Sequence, residues 1–234
     1  APMFRACGSI QKAASGRKHR RVRVRRQMRD VQFGNEYLPY EQAEEKYNEE
    51  LGITSEDEWR AYAEHEAAHC VTAHHYGIPI LSVSIGPLTM LAMDRDTISP
   101  GLCVYDPSHD PLQHIPKGKP AWMGLPFDLK QALSARLFFS LAGPAWDEMR
   151  DIRNADISHA DFQWPRALFS KLSSDRTEGQ WLRLLLERTK TLLQMPANSS
   201  QVEYLGEILL QAKTITGSEI KARLDWFNEG KKAA

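Results

Sequence analysis

The stretch that decides the fold is residues 62–71, with the sequence YAEHEAAHCV. His65 and His69 are four residues apart, so on a helix they lie on one face, one turn apart. Both rings can then direct a nitrogen at one metal ion. Glu66 is rotated by about 100° from His65, so its carboxylate reaches a water on the ion more easily than the ion itself. The His-Glu-x-x-His spacing therefore predicts a zinc ion that activates water, with Glu66 as the base.

The sequence around this motif predicts the helix that the geometry needs. Ser55 is the expected N-cap, and Glu58 completes a capping box three residues later. Gly77 and then Pro79 end the helix. Apolar or small residues continue at helical spacing between these ends: Trp59, Tyr62, Ala63, Ala67, Val71 and Ala73. The alternative interpretation is a core helix whose two histidines bind no metal.

The composition is that of an ordinary globular protein. The chain has 234 residues, of which 42% are hydrophobic and 26% charged, with a formal net charge of zero. No run of about 18 apolar residues occurs, so we expect no transmembrane helix. The three cysteines, Cys7, Cys70 and Cys103, are too few and too scattered for a disulfide framework. An odd number of thiols suits a reducing compartment, so the expected localisation is cytoplasmic.

The neutral total conceals a strongly basic N-terminal segment. Residues 1–30 contain ten Lys or Arg side chains and one acid, Asp30. This segment has almost nothing apolar to bury, so residues 1–34 are predicted to form a disordered arm. Three roles fit it: a solvated tail, an arm that contacts nucleic acid or another polyanion, and an organelle-targeting peptide. If the segment is a targeting peptide, the expected localisation is an organelle and not the cytoplasm.

The sign of the charge reverses after the arm. Residues 35–55 are rich in glutamate and are predicted to be an acidic connecting segment, in which residues 39–51 form a short polar surface helix. The catalytic domain is then predicted over residues 56–230. Nothing in the sequence indicates an internal repeat.

The remaining sequence predicts a mainly helical domain with a small β-sheet, an α+β fold. Residues 79–85 and 101–105 predict strands. The second is our candidate for an edge strand beside the metal that receives a peptide substrate as an added strand, although an ordinary internal strand fits equally well. Asp128 is the expected N-cap of a long helix, in which Gly143 permits a close helix approach and Pro144 causes a kink or break. Further helices are predicted around residues 167–172, 178–193, 202–212 and 218–227, with Gly217 and residues 196–200 as separators.

A catalytic zinc ion usually takes three protein ligands and leaves a fourth position for water. A third ligand works best on a rigid helix end. Glu148 would supply a carboxylate from the next helix, and Asp161 would supply one from the start of the helix after the following loop. The full set of candidates is Glu148, Asp151, Asp156, His159 and Asp161. Spacing alone does not choose between Glu148 and Asp161.

Six segments between residues 56 and 227 resemble, in the same order, the peptidase domain of the FtsH-like zinc metalloproteases. The motif HEAAH at 65–69 resembles the family's His-Glu-Ala-Gly-His. The segment ADF at 160–162 resembles the Asn-Asp-Leu stretch whose aspartate is the third zinc ligand. The other segments are VSIGP at 83–87, LCVY at 102–105, LAGPAWDE at 141–148 and TGSEI at 216–220.

The resemblance implies a zincin-like metallopeptidase domain, with Zn²⁺ held by His65, His69 and Asp161 and with Glu66 as the catalytic base. The implied activity is zinc-dependent endopeptidase cleavage of protein or peptide substrates. Members of this family usually carry an ATP-driven unfoldase before the peptidase, but nothing in the sequence resembles a P-loop. We therefore expect an ATP-independent hydrolase. Its expected partners are other copies of the chain, in a homo-oligomer, or a separate ATPase. The alternative is a catalytically silent binding or assembly protein that contacts nucleic acid through residues 1–30.

Overall fold

The computed structural model describes residues 31–33, 36–86, 100–152, 160–173 and 177–232. This part of the chain is mainly helical with a small antiparallel sheet, which confirms the α+β prediction. The helices are α1 (Tyr40–Leu51), α2 (Glu56–Tyr76), α3 (Phe127–Ser140), α4 (Ala142–Met149), α5 (Gln163–Lys171), α6 (Glu178–Leu193), α7 (Pro196–Ala212) and α8 (Gly217–Lys232). The strands are β1 (Val31–Phe33), β2 (Glu36–Leu38), β3 (Ile80–Ile85), β4 (Gly101–Tyr105) and β5 (Thr214–Thr216). None of the described helices combines the length and the apolar composition that crossing a membrane requires.

Helix α2 is the centre of the fold, and its ends follow the predicted signals. The Ser55 hydroxyl accepts a hydrogen bond from the Glu58 backbone N–H, and the Glu58 carboxylate accepts one from the Ser55 backbone N–H. Gly77 ends the helix in the left-handed conformation, with φ of 70°. Every residue from 62 to 73 is buried. A helix that is buried on all sides lies inside the core rather than on its surface.

The buried apolar side chains form two clusters, and the larger one contains the apolar residues of α2. The larger cluster joins α2 to α4, α7, α8 and the sheet, and it includes Trp146 and Leu205. The smaller cluster joins α3, α5 and α6 through Leu137, Leu168 and Leu185. Helices α3 and α4 follow each other directly in the chain but belong to different clusters. The junction between these two helices therefore lies where the two clusters meet.

Three strands form the sheet beside α2, in the order β4-β3-β5 with antiparallel pairing throughout. In the middle of β3, Val83 is paired with Cys103 on one side and with Ile215 on the other. Among the described strands β4 pairs only with β3, so it lies at the edge of the described sheet, which favours the first of the two roles that the sequence left open. Strand β5 was not predicted, because three residues are too few to show an alternating pattern.

The helix of the acidic segment packs against α2. Ala43 and Tyr47 of α1 are fully buried, and the Tyr47 ring is stacked on Trp59 at a centroid distance of 6.1 Å. These two side chains are four residues apart and form an apolar stripe that the surrounding glutamates obscure in the sequence. Val31–Phe33, which the predicted arm included, form β1 and pair with β2. The remainder of the predicted arm, residues 1–30, lies outside the described residues.

Prolines at helix starts explain the other differences from the predicted boundaries. Pro126 is the N-cap of α3, so Asp128 lies in the first turn and is not the cap. The break between α3 and α4 occurs at Leu141, and Pro144 lies in the first turn of α4. Pro196 begins α7, where a separator was predicted. A proline in the first turn removes an N–H that has no intrahelical partner, so it starts a helix without disrupting it.

Two of the cysteines are neighbours in space. Cys70 of α2 is fully buried, as predicted, and its sulfur lies 3.6 Å from the sulfur of Cys103 in β4. Both are free thiols. The sequence did not predict this contact, because 33 residues separate the two positions. Burial, with the adjacent thiol, raises the pKa of Cys103 well above its usual value, so Cys103 stays protonated and packs as an apolar group.

Candidate metal centre

Two histidines of α2 and one aspartate from the turn before α5 converge at one point. Nε2 of His65 lies 3.1 Å from Oδ2 of Asp161 and 3.3 Å from Nε2 of His69. Nε2 of His69 lies 3.4 Å from Oδ1 of Asp161. Within the described ranges, no other set of three His, Cys, Asp or Glu side chains brings its ligand atoms this close together.

The spacing between the two imidazole nitrogens and the two carboxylate oxygens of Asp161 fits a zinc ion. Zn–N and Zn–O distances of 2.0–2.2 Å place two ligand atoms of a tetrahedral site about 3.3–3.6 Å apart. The observed separations of 3.1, 3.3 and 3.4 Å are at or just below this range. Two imidazole nitrogens and one carboxylate oxygen are also the donor types of a catalytic zinc site. The three side chains could therefore hold Zn²⁺ with small adjustments of their rotamers.

The electrostatics of the cluster favour a positive charge between the three side chains. Burial alone would lower the pKa of His65, but its hydrogen bonds to Asp147 and Asp161 raise that pKa well above the usual value. Burial alone would raise the pKa of Asp161, but His69 and His65 hold that pKa well below the usual range. A metal cation supplies the same positive charge while the histidines bind it as neutral rings.

A buried aspartate orients the first histidine. Nδ1 of His65 donates to Oδ2 of Asp147 in α4 at 2.8 Å, and both side chains are buried. This hydrogen bond fixes the tautomer that leaves Nε2 available to a metal. The neighbouring Glu148 was a predicted candidate ligand, whereas no role was predicted for Asp147. A signal was present, because Asp147 follows the close-approach residue Gly143 by four positions and so shares its helix face.

A backbone carbonyl orients the second histidine. Nδ1 of His69 donates to the Phe139 carbonyl oxygen at 2.6 Å, and the Phe139 ring lies 5.3 Å from the imidazole. Phe139 is in the last turn of α3, where carbonyl oxygens are available to donors outside the helix. Each histidine therefore has its Nδ1 atom bound and its Nε2 atom directed at the shared point.

Gly143 allows α4 to lie directly against the first histidine. A Cβ atom built at Gly143 overlaps the imidazole of His65, including Nε2. The predicted role of Gly143 as a position of close helix approach is therefore confirmed. The same contact brings Asp147 within hydrogen-bond distance of His65.

Glu66 is buried beside the cluster, under the start of the edge strand. A Cβ atom built at Gly101 overlaps the Glu66 carboxylate, so the backbone of β4 passes directly over this group. Burial raises the pKa of Glu66 from its ordinary value of 4.5 to about 7. A carboxylate with a pKa near neutrality can both accept and return a proton at neutral pH. Glu66, His65, His69 and Asp161 line one cavity of about 190 Å³, together with residues of β4, α3 and the start of α5.

The other candidate ligands are not brought to this point. The Glu148 carboxylate lies 2.7 Å from Nζ of Lys190 in α6 and is about half exposed. Asp151 is exposed and follows α4 with a φ of 55°. Asp156 and His159 lie outside the described residues. Of the candidates that the structure describes, Asp161 is the one that meets the two histidines.

Comparisons with known proteins add no family to this geometry. No protein-family model matches the chain, and no curated protein matches it significantly. No function therefore comes to the chain from a relative. A function must be inferred from the side chains of the site and their chemistry.

A methyl group at Gly143 should weaken metal binding. In Gly143→Ala the new Cβ must displace the His65 ring or move α4 away from α2. Because either movement disturbs the His65–Asp147 pair, we expect zinc affinity to fall about 10–100-fold. Competition with a chromophoric chelator measures this. The matched control is Gly179→Ala, at the second position of α6, where a built Cβ meets nothing within 4 Å. Equal zinc affinity in the two variants would contradict the prediction.

The metal-free protein should lose stability as pH rises. The pKa of Glu66 is raised from 4.5 to about 7, so folding favours the protonated carboxyl group. This stabilisation is complete below pH 4.5 and is lost as pH rises to about 7, a difference on the order of 3 kcal/mol. Gln at position 66 is neutral at every pH. In chelator, we therefore expect Glu66→Gln to match the wild type at low pH and to exceed its free energy of unfolding at about pH 8. Denaturant titrations measure the free energy of unfolding of both proteins. If the difference between the variant and the wild type does not change with pH, the prediction is wrong.

Proposed function

We propose that this chain is a zinc-dependent endopeptidase with a zincin-like fold, similar to the peptidase domain of the FtsH-like metalloproteases. The observation that supports this most directly is the meeting of His65, His69 and Asp161 beside the buried carboxylate of Glu66. Zn²⁺ bound by the first three residues would supply Lewis acidity toward a peptide carbonyl and would lower the pKa of a bound water toward neutrality.

Glu66 is the proton carrier in this proposal. Its carboxylate accepts a proton from the attacking water and donates it to the nitrogen of the leaving amine. Burial raises the pKa of this carboxyl group above its ordinary value, which favours a role as proton carrier at neutral pH. Asp147 and the Phe139 carbonyl hold the two histidine rings in place during the reaction.

Strand β4 is the proposed substrate-binding edge. It is at the edge of the described sheet and contributes Gly101, Leu102, Cys103 and Tyr105 to the lining of the cavity. An extended peptide that pairs with β4 on the side away from β3 would run past Glu66, since the backbone of Gly101 lies over that carboxylate. Backbone pairing selects for extended, accessible segments and is tolerant of sequence.

The cavity sets the class of substrate. A volume of about 190 Å³ accommodates a single extended segment rather than a folded protein. We therefore propose that the chain cleaves peptides or unfolded protein segments without ATP, or receives them from a separate unfoldase. In this proposal the enzyme acts in the cytoplasm, and residues 1–30 are available to contact a polyanion.

Replacement of Glu66 by glutamine should separate metal binding from catalysis. Glu66→Gln keeps the shape of the side chain and removes its ability to accept a proton. We expect the variant to bind zinc stoichiometrically and to hydrolyse an unfolded casein or peptide substrate about 10²–10⁴-fold more slowly than the wild type. Metal analysis and a fluorogenic cleavage assay measure the two properties. A variant that still cleaves would sink the assignment, whereas a wild type that binds zinc without cleaving would favour the catalytically silent alternative.

The third ligand can be tested by two alanine substitutions. Asp161→Ala removes a carboxylate from the cluster, so we expect zinc to be lost in dialysis. Glu148→Ala removes only a partly exposed ion pair with Lys190, which contributes about 0–1 kcal/mol to stability, so we expect zinc to be retained. Retention by Asp161→Ala with loss from Glu148→Ala would reverse the ligand assignment.

A further inference from the structure

A buried arginine lines the candidate metal centre without a carboxylate partner among the described residues. Arg136 of α3 is only 8% exposed. Its Nη1 group donates to the Ser140 hydroxyl at 2.9 Å, while its Nε–H is buried and has no hydrogen-bond partner in the described part of the chain. Burial of a cation without a counter-charge costs stability. A position that retains such a cation beside a reactive centre is a candidate for ligand recognition.

Aromatic rings hold the guanidinium in place. Its central carbon lies 3.9 Å from the ring centre of Tyr105, 4.5 Å from that of Phe139 and 5.2 Å from that of Trp164. Trp164 is itself fixed, because its Nε1 donates to Oδ1 of Asp110 at 3.1 Å. Cation–π contacts stabilise the charge through the ring faces and use none of the N–H groups. The planar fork is therefore preorganised, and among the described residues only its Nη1 group has a protein acceptor, the Ser140 hydroxyl.

The two aspartates of the candidate centre are committed elsewhere. Asp147 accepts from Nδ1 of His65, and Asp161 lies against Nε2 of both histidines. Neither aspartate forms an ion pair with Arg136. No carboxylate of the described residues forms an ion pair with the guanidinium, so its positive charge can meet a group that enters the cavity.

Arg136 and Glu66 lie toward opposite ends of the proposed substrate strand. Gly101, at the start of β4, covers Glu66, and Tyr105, at its end, stacks on Arg136. Both Arg136 and Glu66 line the same cavity. Strand residues rise about 3.3 Å each, so four positions of β4 span about 13 Å. If a peptide pairs along β4 with its scissile bond beside Glu66, the peptide residue that reaches Arg136 is at most about four residues from that bond.

We propose that Arg136 is a specificity-determining residue that selects peptide substrates with a carboxylate within about four residues of the scissile bond. This inference depends on the proposed peptidase function. The guanidinium fork binds a carboxylate through two parallel N–H···O bonds, a geometry that a neutral amide does not reproduce. The carboxylate is either an acidic side chain or the free C-terminus of a peptide, and the test below distinguishes the two sources.

The test uses matched fluorescent peptides. In one series a single Glu is moved through the four positions on each side of the cleaved bond, and each peptide has a Gln twin. In the other series the peptides carry a C-terminal acid or the corresponding amide. Binding is measured by anisotropy with zinc-loaded Glu66→Gln, which does not consume the peptide, and cleavage is measured with the wild type. We expect one position, or the C-terminal acid, to bind at least about tenfold more tightly than its neutral twin.

Variants of Arg136 test whether this residue causes the preference for acidic peptides. Arg136→Met in the Glu66→Gln background should abolish the difference between acidic and neutral twins, because Met keeps an apolar stem and loses the fork. Arg136→Lys should retain only part of it, since an ammonium group does not bind a carboxylate bidentately. The control is Arg166→Met on the exposed surface of α5, which changes the net charge equally and should leave the preference intact. Zinc content and thermal unfolding verify the fold of each variant.

The outcomes separate this inference from the peptidase assignment. Cleavage by the wild type with equal affinity for acidic and neutral twins overturns the role of Arg136 and leaves the peptidase function standing. Tighter binding of acidic twins that Arg136→Met abolishes, without cleavage by the wild type, supports the role of Arg136 and overturns the peptidase function. If Arg136→Met does not fold, the comparison of twins with intact Arg136 and with Arg136→Lys still decides the question.

Discussion

The burial of α2 on all sides is the constraint on which the rest of the structure depends. Polar side chains on a buried helix cost stability unless they find partners inside the protein. Nδ1 of His65 is bound by Asp147, and Nδ1 of His69 is bound by the Phe139 carbonyl. The Glu64 carboxylate on the same helix accepts from the indole N–H of Trp146 at 3.0 Å. Helices α3 and α4 are thus held against α2 by polar contacts as well as by apolar packing, and these contacts shape the candidate centre.

The sequence predicted the parts of the site that depend on local pattern. The limits of α2, its capping box and its left-handed end at Gly77 follow from residues close together in the chain. Asp147 was missed because its role depends on a contact with a helix 82 residues earlier. From the residues alone, Asp161 and Glu148 remained equal candidates. Helical spacing fixes two ligands on one element but contains no information about a ligand from another.

The predicted fold differs from the observed fold because single residues contribute more than the average pattern of their segments indicates. Helix α1 was predicted as a polar surface helix because glutamates dominate its sequence, yet two well-spaced apolar residues, Ala43 and Tyr47, bury it against Trp59. Prolines were predicted to interrupt helices, but Pro196 is the first residue of a helix. In both cases a few residues at the right positions outweigh the average character of a segment. Arg136 was missed for the same reason, since its sequence context is an ordinary apolar helix.

The break at Leu141 has a mechanical consequence for the centre. The helix before it holds the ring of His69, and the helix after it holds the ring of His65. The two imidazole rings therefore receive their Nδ1 partners from opposite sides of this joint. The two helices belong to different apolar clusters. An ion that closes the chelate would brace both halves of the interior against each other, and its binding energy would be shared by the whole domain.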